Sequence, residues 1–203
     1  MSDMNENMQV GTGLSNAEEI GAKLFELRDY TPIPLILLLL FLGEPNVGSA
    51  TLGVLVIVFG ELFRIYAVSF IGSVSRTRNT STTGGNLISE GPFGWVRNPL
   101  YVGNFFITLG VAVFTGVIWL VIATAVLFAA QYYYIVKYEE HLLTEKFGAE
   151  YIEYKSKVPA WVPAKFPDLN TMDWPVTFTP ALKSEKRTLT AIIAMLIALV
   201  VIS

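Results

Sequence analysis

Two carboxylates side by side, Glu139 and Glu140, follow a long apolar run and stand among Tyr132, Tyr133, Tyr134 and Tyr138. Neighbours on a helix are separated by about 100°, so the pair cannot share one face. One is expected to point into a helical bundle while the other meets water, unless both belong to an ordinary solvated helix start at the interface. Earlier in the chain, GPFGWVRNPLYVG over residues 91–103 supplies complementary chemistry. Gly91, Pro92 and Gly94 make a loop whose bare backbone a ligand can approach closely, or simply a turn into a helix. Arg97 stands at the mouth of the next apolar run. There it either clamps a carboxylate or phosphate or anchors the helix by snorkelling to the interface. Asn98 and Tyr101 offer hydrogen bonds at the same level, and Pro99 marks the helix start. The two stretches read as halves of one site at a membrane face.

Two further places carry ionisable groups. Glu61 and Arg64 lie three apart within an apolar run and so share a helical face. An ionisable residue at membrane depth is a functional candidate, while pairing of Arg64 with Glu61 as structural glue is the equal alternative. His141, the single histidine, is read as an interfacial polar residue beside the carboxylate pair.

The elements that must position these groups are apolar runs. Of 203 residues, 53% are hydrophobic and 15% charged, and the mean hydropathy is +0.52. A soluble domain carries about 25% charged residues, so the chain is expected to be an all-α, multi-pass integral membrane bundle. The absence of cysteine removes disulfides, thiolate metal sites and cysteine nucleophiles. A lone histidine leaves no histidine cluster, so no metal is expected. The net charge of −3 gives no reason to expect nucleic acid.

Residues 1–29 read as a cytoplasmic tail with a short amphipathic helix. No basic segment followed by an apolar one marks a secretory signal. Ser15 and Asn16 before Glu18 and Glu19 form a capping pattern, and Ile20, Leu24 and Leu27 then share a face. That face suits the membrane surface or the protein's own cytoplasmic part equally well. Ile33 to Gly43 is apolar but short for a hydrocarbon core of roughly 30 Å. Val47 to Ile71 is long enough to cross it, and these two are expected to form a hairpin. A polar loop over 72–90 precedes a second hairpin, Leu100 to Phe114 and Val117 to Val136, and Leu189 to Ile202 makes a fifth span. The turns at 44–49 and 115–116 contain none of the 14 lysines and arginines. Basic residues gather on cytoplasmic loops, so the N-terminus, the 72–98 loop and residues 137–187 are expected to face the cytoplasm, with the C-terminus outside.

Together these segments resemble the isoprenylcysteine carboxyl methyltransferase family and its relatives, the phospholipid methyltransferases. The family pattern is a Gly-Pro-aromatic turn and Arg-His-Pro-x-Tyr-x-Gly. A helical hairpin follows, then Glu-Glu-x-x-Leu-x-x-x-Phe-Gly-x-x-Tyr-x-x-Tyr and a Val-Pro segment. Here GPFGWVRNPLYVG is followed by EEHLLTEKFGAEYIEYKSKVP, with Glu139, Glu140, Leu143, Phe147, Gly148, Tyr151, Tyr154, Val158 and Pro159 at the expected offsets. The resemblance covers residues 50–163 and departs at Asn98, where the family usually has histidine, and in the C-terminal extension.

What the resemblance implies is a membrane methyltransferase core over 30–163 that uses S-adenosylmethionine at the cytoplasmic face. A cytoplasmic loop and a last span follow over 164–203. Carried over by position, Gly91, Phe93, Pro99, Glu139 and Glu140 would line the cofactor, and Arg97, Asn98 and Tyr101 would serve catalysis. The partners implied are the bilayer and a lipophilic acceptor bearing either a carboxylate, as in an isoprenylcysteine-like compound, or a lipid headgroup amine. The competing expectations are an NADPH-dependent reductase related to membrane sterol reductases, which share an Arg-x-x-x-Tyr-x-Gly stretch, and a non-catalytic membrane binding protein with a degenerate site.

Overall fold

A computed structural model of the chain describes residues 13–71, 86–165 and 172–202, and among these residues it contains helices and no strand. The helices are α1 (Asn16–Glu26), α2 (Ile33–Leu42), α3 (Val47–Ile71), α4 (Pro99–Phe114), α5 (Ile118–Phe147), α6 (Ala149–Lys157) and α7 (Thr179–Ile202). A 3-10 turn over Gly91–Gly94 precedes α4. The expected polar loop over 72–90 falls outside the described residues as far as residue 85.

Local chemistry sets these boundaries. The Glu18 carboxylate reaches back to the Ser15 N–H at 2.7 Å, closing the capping box of α1. Pro99 opens α4 at a position where no N–H is needed. Gly148, at a φ of 55°, ends α5, and its N–H bonds the Thr144 carbonyl at 2.8 Å. That left-handed residue turns the chain into α6.

Among the described residues two helices, α3 and α5, are long and apolar enough to cross a membrane, while α2 and α4 are apolar but shorter. At 1.5 Å per residue α5 is about 45 Å long. It is longer than a hydrocarbon core of roughly 30 Å, and Glu139 and Glu140 lie in its last three turns. Apolar side chains face outward along both helices: Leu55, Phe59 and Leu62 on α3, and Ile118, Ile122 and Val126 on α5. Outward apolar surface of this extent suits lipid rather than water.

The most extensive packing joins α3 to α4. Four glycines let the two backbones approach. A Cβ added at Gly53 would meet the Phe114 N at 2.7 Å, and one at Gly60 would meet the Ile107 N at 2.8 Å. Reciprocally, Cβ atoms at Gly103 and Gly110 would meet the carbonyls of Gly60 and Gly53 at 3.1 and 2.8 Å. Small residues in register are how apolar helices pack when lipid tails compete for every contact.

The expected pairing of α2 with α3 is therefore corrected: α3 takes α4 as its partner, and α2 packs on α7 and α5. Leu39 of α2, Ile57 of α3, Val111 of α4, Leu120 of α5 and Leu199 of α7 share one buried cluster. It lies at the end where the two turns lacking basic residues meet, with the Glu44 N–H bonded to the Thr115 carbonyl at 2.7 Å. The opposite end carries the candidate site. Toward that end Arg64 joins three helices, reaching the Asn104 Oδ1 of α4 at 2.8 Å and the Glu185 carboxylate of α7 at 2.6 Å.

Candidate functional site

Arg97 is the node where the two sequence stretches meet. Its Nη2 lies 2.6 Å from the Glu140 Oε1, and its Nε donates to the same oxygen at 3.0 Å. Nη1 donates to the Lys155 carbonyl at 3.2 Å and to the Val158 carbonyl, while the Arg97 backbone N–H bonds the Pro159 carbonyl at 2.8 Å. Lys155 of α6 completes the group, its Nζ 2.7 Å from the other Glu140 oxygen. A planar guanidinium with donors on every edge suits this work. It neutralises a carboxylate whose side chain is 7% exposed and caps the carbonyls at the end of α6. Asn98 acts alongside, its Nδ2 donating to the Ala160 carbonyl at 3.2 Å. Pro99, buried, starts α4 behind it.

The ion pair fixes one wall of a cavity of about 530 Å³. Phe70 from the end of α3, Phe93 from the 3-10 turn, Phe147 from α5, and Tyr151 and Tyr154 from α6 supply five aromatic rings. Glu90 and Lys146 add one charge of each sign, and Arg97 borders the space. The Tyr154 hydroxyl donates to the Phe93 carbonyl at 2.7 Å, locking α6 to the turn. Burial pushes that phenol up to about 12. Burial, and then the nearby Glu140 carboxylate, push Tyr151 up as well, so both hydroxyls stay protonated. Gly91 holds a φ of 57°, and a Cβ there would sit 2.4 Å from the Phe70 ring. Only glycine fits this corner without strain.

The two acids part company, as helical geometry requires. Glu140 is buried against Arg97 and Lys155, whereas Glu139 is half-buried and faces Tyr101 and Arg28. Glu139, Leu143 and Lys146 fall at i, i+4 and i+7, one stripe of α5, and the last two line the cavity. Glu139 therefore stands on α5 one helical turn before the residues that line the cavity. From Tyr101 a run of rings descends into apolar depth. Tyr101 to Tyr132 is 4.6 Å between centroids, Tyr132 to Phe128 is 4.2 Å and Phe128 to Phe105 is 5.3 Å.

Of the residues singled out from the sequence, Phe93 and Arg97 line the cavity, with Gly91 behind it against Phe70 and Glu140 behind it against Arg97. Asn98 and Pro99 serve the backbone behind it, and Tyr101 and Glu139 stand outside its lining. His141 lies away from the cavity, 3.4 Å from Glu18 of α1 and 3.4 Å from Glu145. Sequence reasoning gave no site role to Lys155, Tyr151, Tyr154, Glu90 or Lys146. A signal existed for α6: Tyr154 and Lys155, at i+3 and i+4 from Tyr151, flank it on either side.

A model of the phospholipid methyltransferase family matches residues 49–150, half of the chain. The nickel-cobalt-cadmium resistance protein NccN of Alcaligenes xylosoxydans xylosoxydans is 30% identical over 113 residues, covering 56% of this chain and 49% of that protein. The protein-S-isoprenylcysteine O-methyltransferase of Xenopus laevis is 29% identical over 120 residues, covering 56% of this chain and 40% of its own. The enzyme of the same name from Saccharomyces cerevisiae is 34% identical over 124 residues, 55% of this chain and 48% of its own. The matched part of the chain thus spans about half the length of these curated relatives, or less. The matched segment contains both the Gly91–Tyr101 stretch and the Glu139–Glu140 pair, and with it the chain belongs to the phospholipid methyltransferase family.

Proposed function

We propose that this protein transfers a methyl group from S-adenosylmethionine to a lipophilic acceptor that arrives through the bilayer. The observation that carries this reading is that the family-matched segment lines, with α6, an open aromatic-walled cavity between its two halves. A volume of about 530 Å³ lies in the range of small-molecule pockets. The lining also suits the cofactor's chemistry. Aromatic faces attract a sulfonium cation, Lys146 complements a carboxylate, and Glu90 complements an ammonium group.

Phe93, Tyr151, Tyr154, Lys146 and Glu90 would hold the cofactor, which supplies a methyl group on a positively charged sulfur open to in-line displacement. The chain's own residues do the rest. Arg97, Glu140 and Lys155 hold α6 in place as one wall of the cavity. The rings of Tyr101, Tyr132, Phe128 and Phe105 offer an apolar track along which an acceptor's tail lies. Its reacting group then stands beside Glu139, one turn from the cavity. For an amine acceptor, the Glu139 carboxylate takes the proton that nitrogen releases; for a carboxylate acceptor, no proton need leave, and Arg28 offsets the charge. Positioning of this kind supplies much of the acceleration of a displacement reaction. Five spans, with the N-terminus and the cavity facing the cytoplasm, complete the proposal and agree with the distribution of basic residues.

Titrating S-adenosylhomocysteine into detergent-purified protein by calorimetry tests the binding half. Saturable binding is expected, weakened at least about tenfold by Phe93→Ala, with NADPH giving no heat. Folded protein that binds NADPH and not S-adenosylhomocysteine would overturn the proposal in favour of a reductase.

A further inference from the structure

Asp173 and Trp174 of the C-terminal loop reach back to the site from outside the family-matched residues. Asp173 accepts a hydrogen bond from the Gly91 N–H at its Oδ2, 3.2 Å away, and its backbone carbonyl accepts from the Tyr66 hydroxyl of α3. The Trp174 ring lies 6.1 Å from that of Tyr66, which also meets Phe70 and Trp95 at 5.3 and 5.6 Å. Residues 173 and 174 are thus seated on an aromatic cluster behind the Gly91–Gly94 turn, while Glu90 and Phe93 form the cavity wall in front of it.

The turn needs this partner. Its internal bonds run from Phe93 to Glu90 and from Trp95 to Pro92, Pro92 has no N–H, and Gly91, the first residue, has no acceptor within the turn. Gly91 is buried, and a buried N–H without an acceptor is costly. The Asp173 carboxylate supplies one, and a charged acceptor makes the stronger kind of bond.

We infer that Asp173 is a positioning residue: it holds the Gly91–Gly94 turn from behind and so sets how tightly the cavity grips its ligand. This rests on the methyl-donor reading for the ligand's identity, but not for the contact itself. Two measurements on the full chain in detergent separate the two. Hydrogen exchange of the peptide spanning residues 86–96, without ligand, reports the turn; calorimetry with S-adenosylhomocysteine reports the grip. Asp173→Ala should speed exchange about tenfold and weaken binding by a similar factor, with the melting temperature close to that of the native protein. Asp173→Asn, which keeps an acceptor oxygen, should recover most of both. Tyr66→Phe, which frees the other end of the contact, should move exchange in the same direction by less.

Unchanged exchange in Asp173→Ala would overturn the inference. So would faster exchange with unaltered affinity, because the turn would then not govern the cavity. If the native protein binds no S-adenosylhomocysteine at all, the methyl-donor reading fails, and the exchange arm alone decides whether Asp173 holds the turn.

Discussion

Arg97 carries more of the site than any other single side chain, and it does so by filling its hydrogen-bonding capacity within the protein. Replacing it with alanine strands the buried Glu140 carboxylate with only the half-exposed Lys155 and uncaps α6. A loss of about 3 kcal/mol of stability is expected. Arg97→Lys should fare almost as badly, because an ammonium cannot replace the planar fork. Lys155→Ala should cost less than either Arg97 variant, because Lys155 is the more exposed partner and meets Glu140 through a single ammonium contact. Thermal and denaturant melts in one detergent would rank the three; a Lys155 variant as damaging as the Arg97 variant would show that the weights assigned here are reversed. Gly91→Ala tests the adjoining corner. The left-handed φ and the Phe70 ring together predict a loss of about 1–3 kcal/mol, and weaker binding of S-adenosylhomocysteine should accompany it. At this scale the sequence showed which residues matter better than what they touch. Glu140 and Arg97 stood out by type and offset, but the Lys155 ammonium and the carbonyls that complete their group come from α6 folding back at Gly148, which no local periodicity encodes.

Among the elements, α3 and α4 depend on four glycines whose missing side chains leave room for the opposite backbone. Gly110→Val should separate the helices and cost about 1–3 kcal/mol or more, seen as a lowered melting temperature, whereas valine at Gly13, where a Cβ meets nothing, should leave the melt unchanged. The docking of α1 on α5 answers to pH. The Ser15 N–H, above all, holds the Glu18 carboxyl below its ordinary value of 4.5. A carboxylate favoured in this way stabilises the folded helix above that value and loses its contribution as pH falls through the lowered one. Hydrogen exchange of residues 16–26 should therefore accelerate between about pH 6 and about pH 3, after correction for the intrinsic rate, and Glu18→Gln should flatten the profile. Helix bounds were largely legible: Val47–Ile71 is the same in sequence and structure, and Pro99 marks α4 in both. The far end of α5 was not, since the change from apolar to polar at Lys137 resembles a helix end, while the backbone stays helical until Gly148 allows it to turn. Helix partners were legible least of all. Adjacent apolar runs suggested an α2–α3 hairpin, but the glycine spacing that brings α3 to α4 can be read only once both helices are seen together.

At the scale of the whole molecule, lipid-facing helices join a tightly packed end without basic residues to an end where charge and aromatic rings surround a cavity. The family-matched segment supplies the cavity's first two walls, α6 supplies the third, and the C-terminal segment braces the turn from behind. The measurement that tests the central claim most directly is transfer of label. Purified protein is incubated with S-adenosylmethionine tritiated on the methyl group and a total lipid extract, and the organic phase is then counted. The account predicts label in a lipid product that grows with time, is suppressed by S-adenosylhomocysteine, and is lost in Phe93→Ala. Folded, nucleotide-binding protein that leaves the lipid phase unlabelled across extracts rich in both amine headgroups and prenylated carboxylates would contradict it.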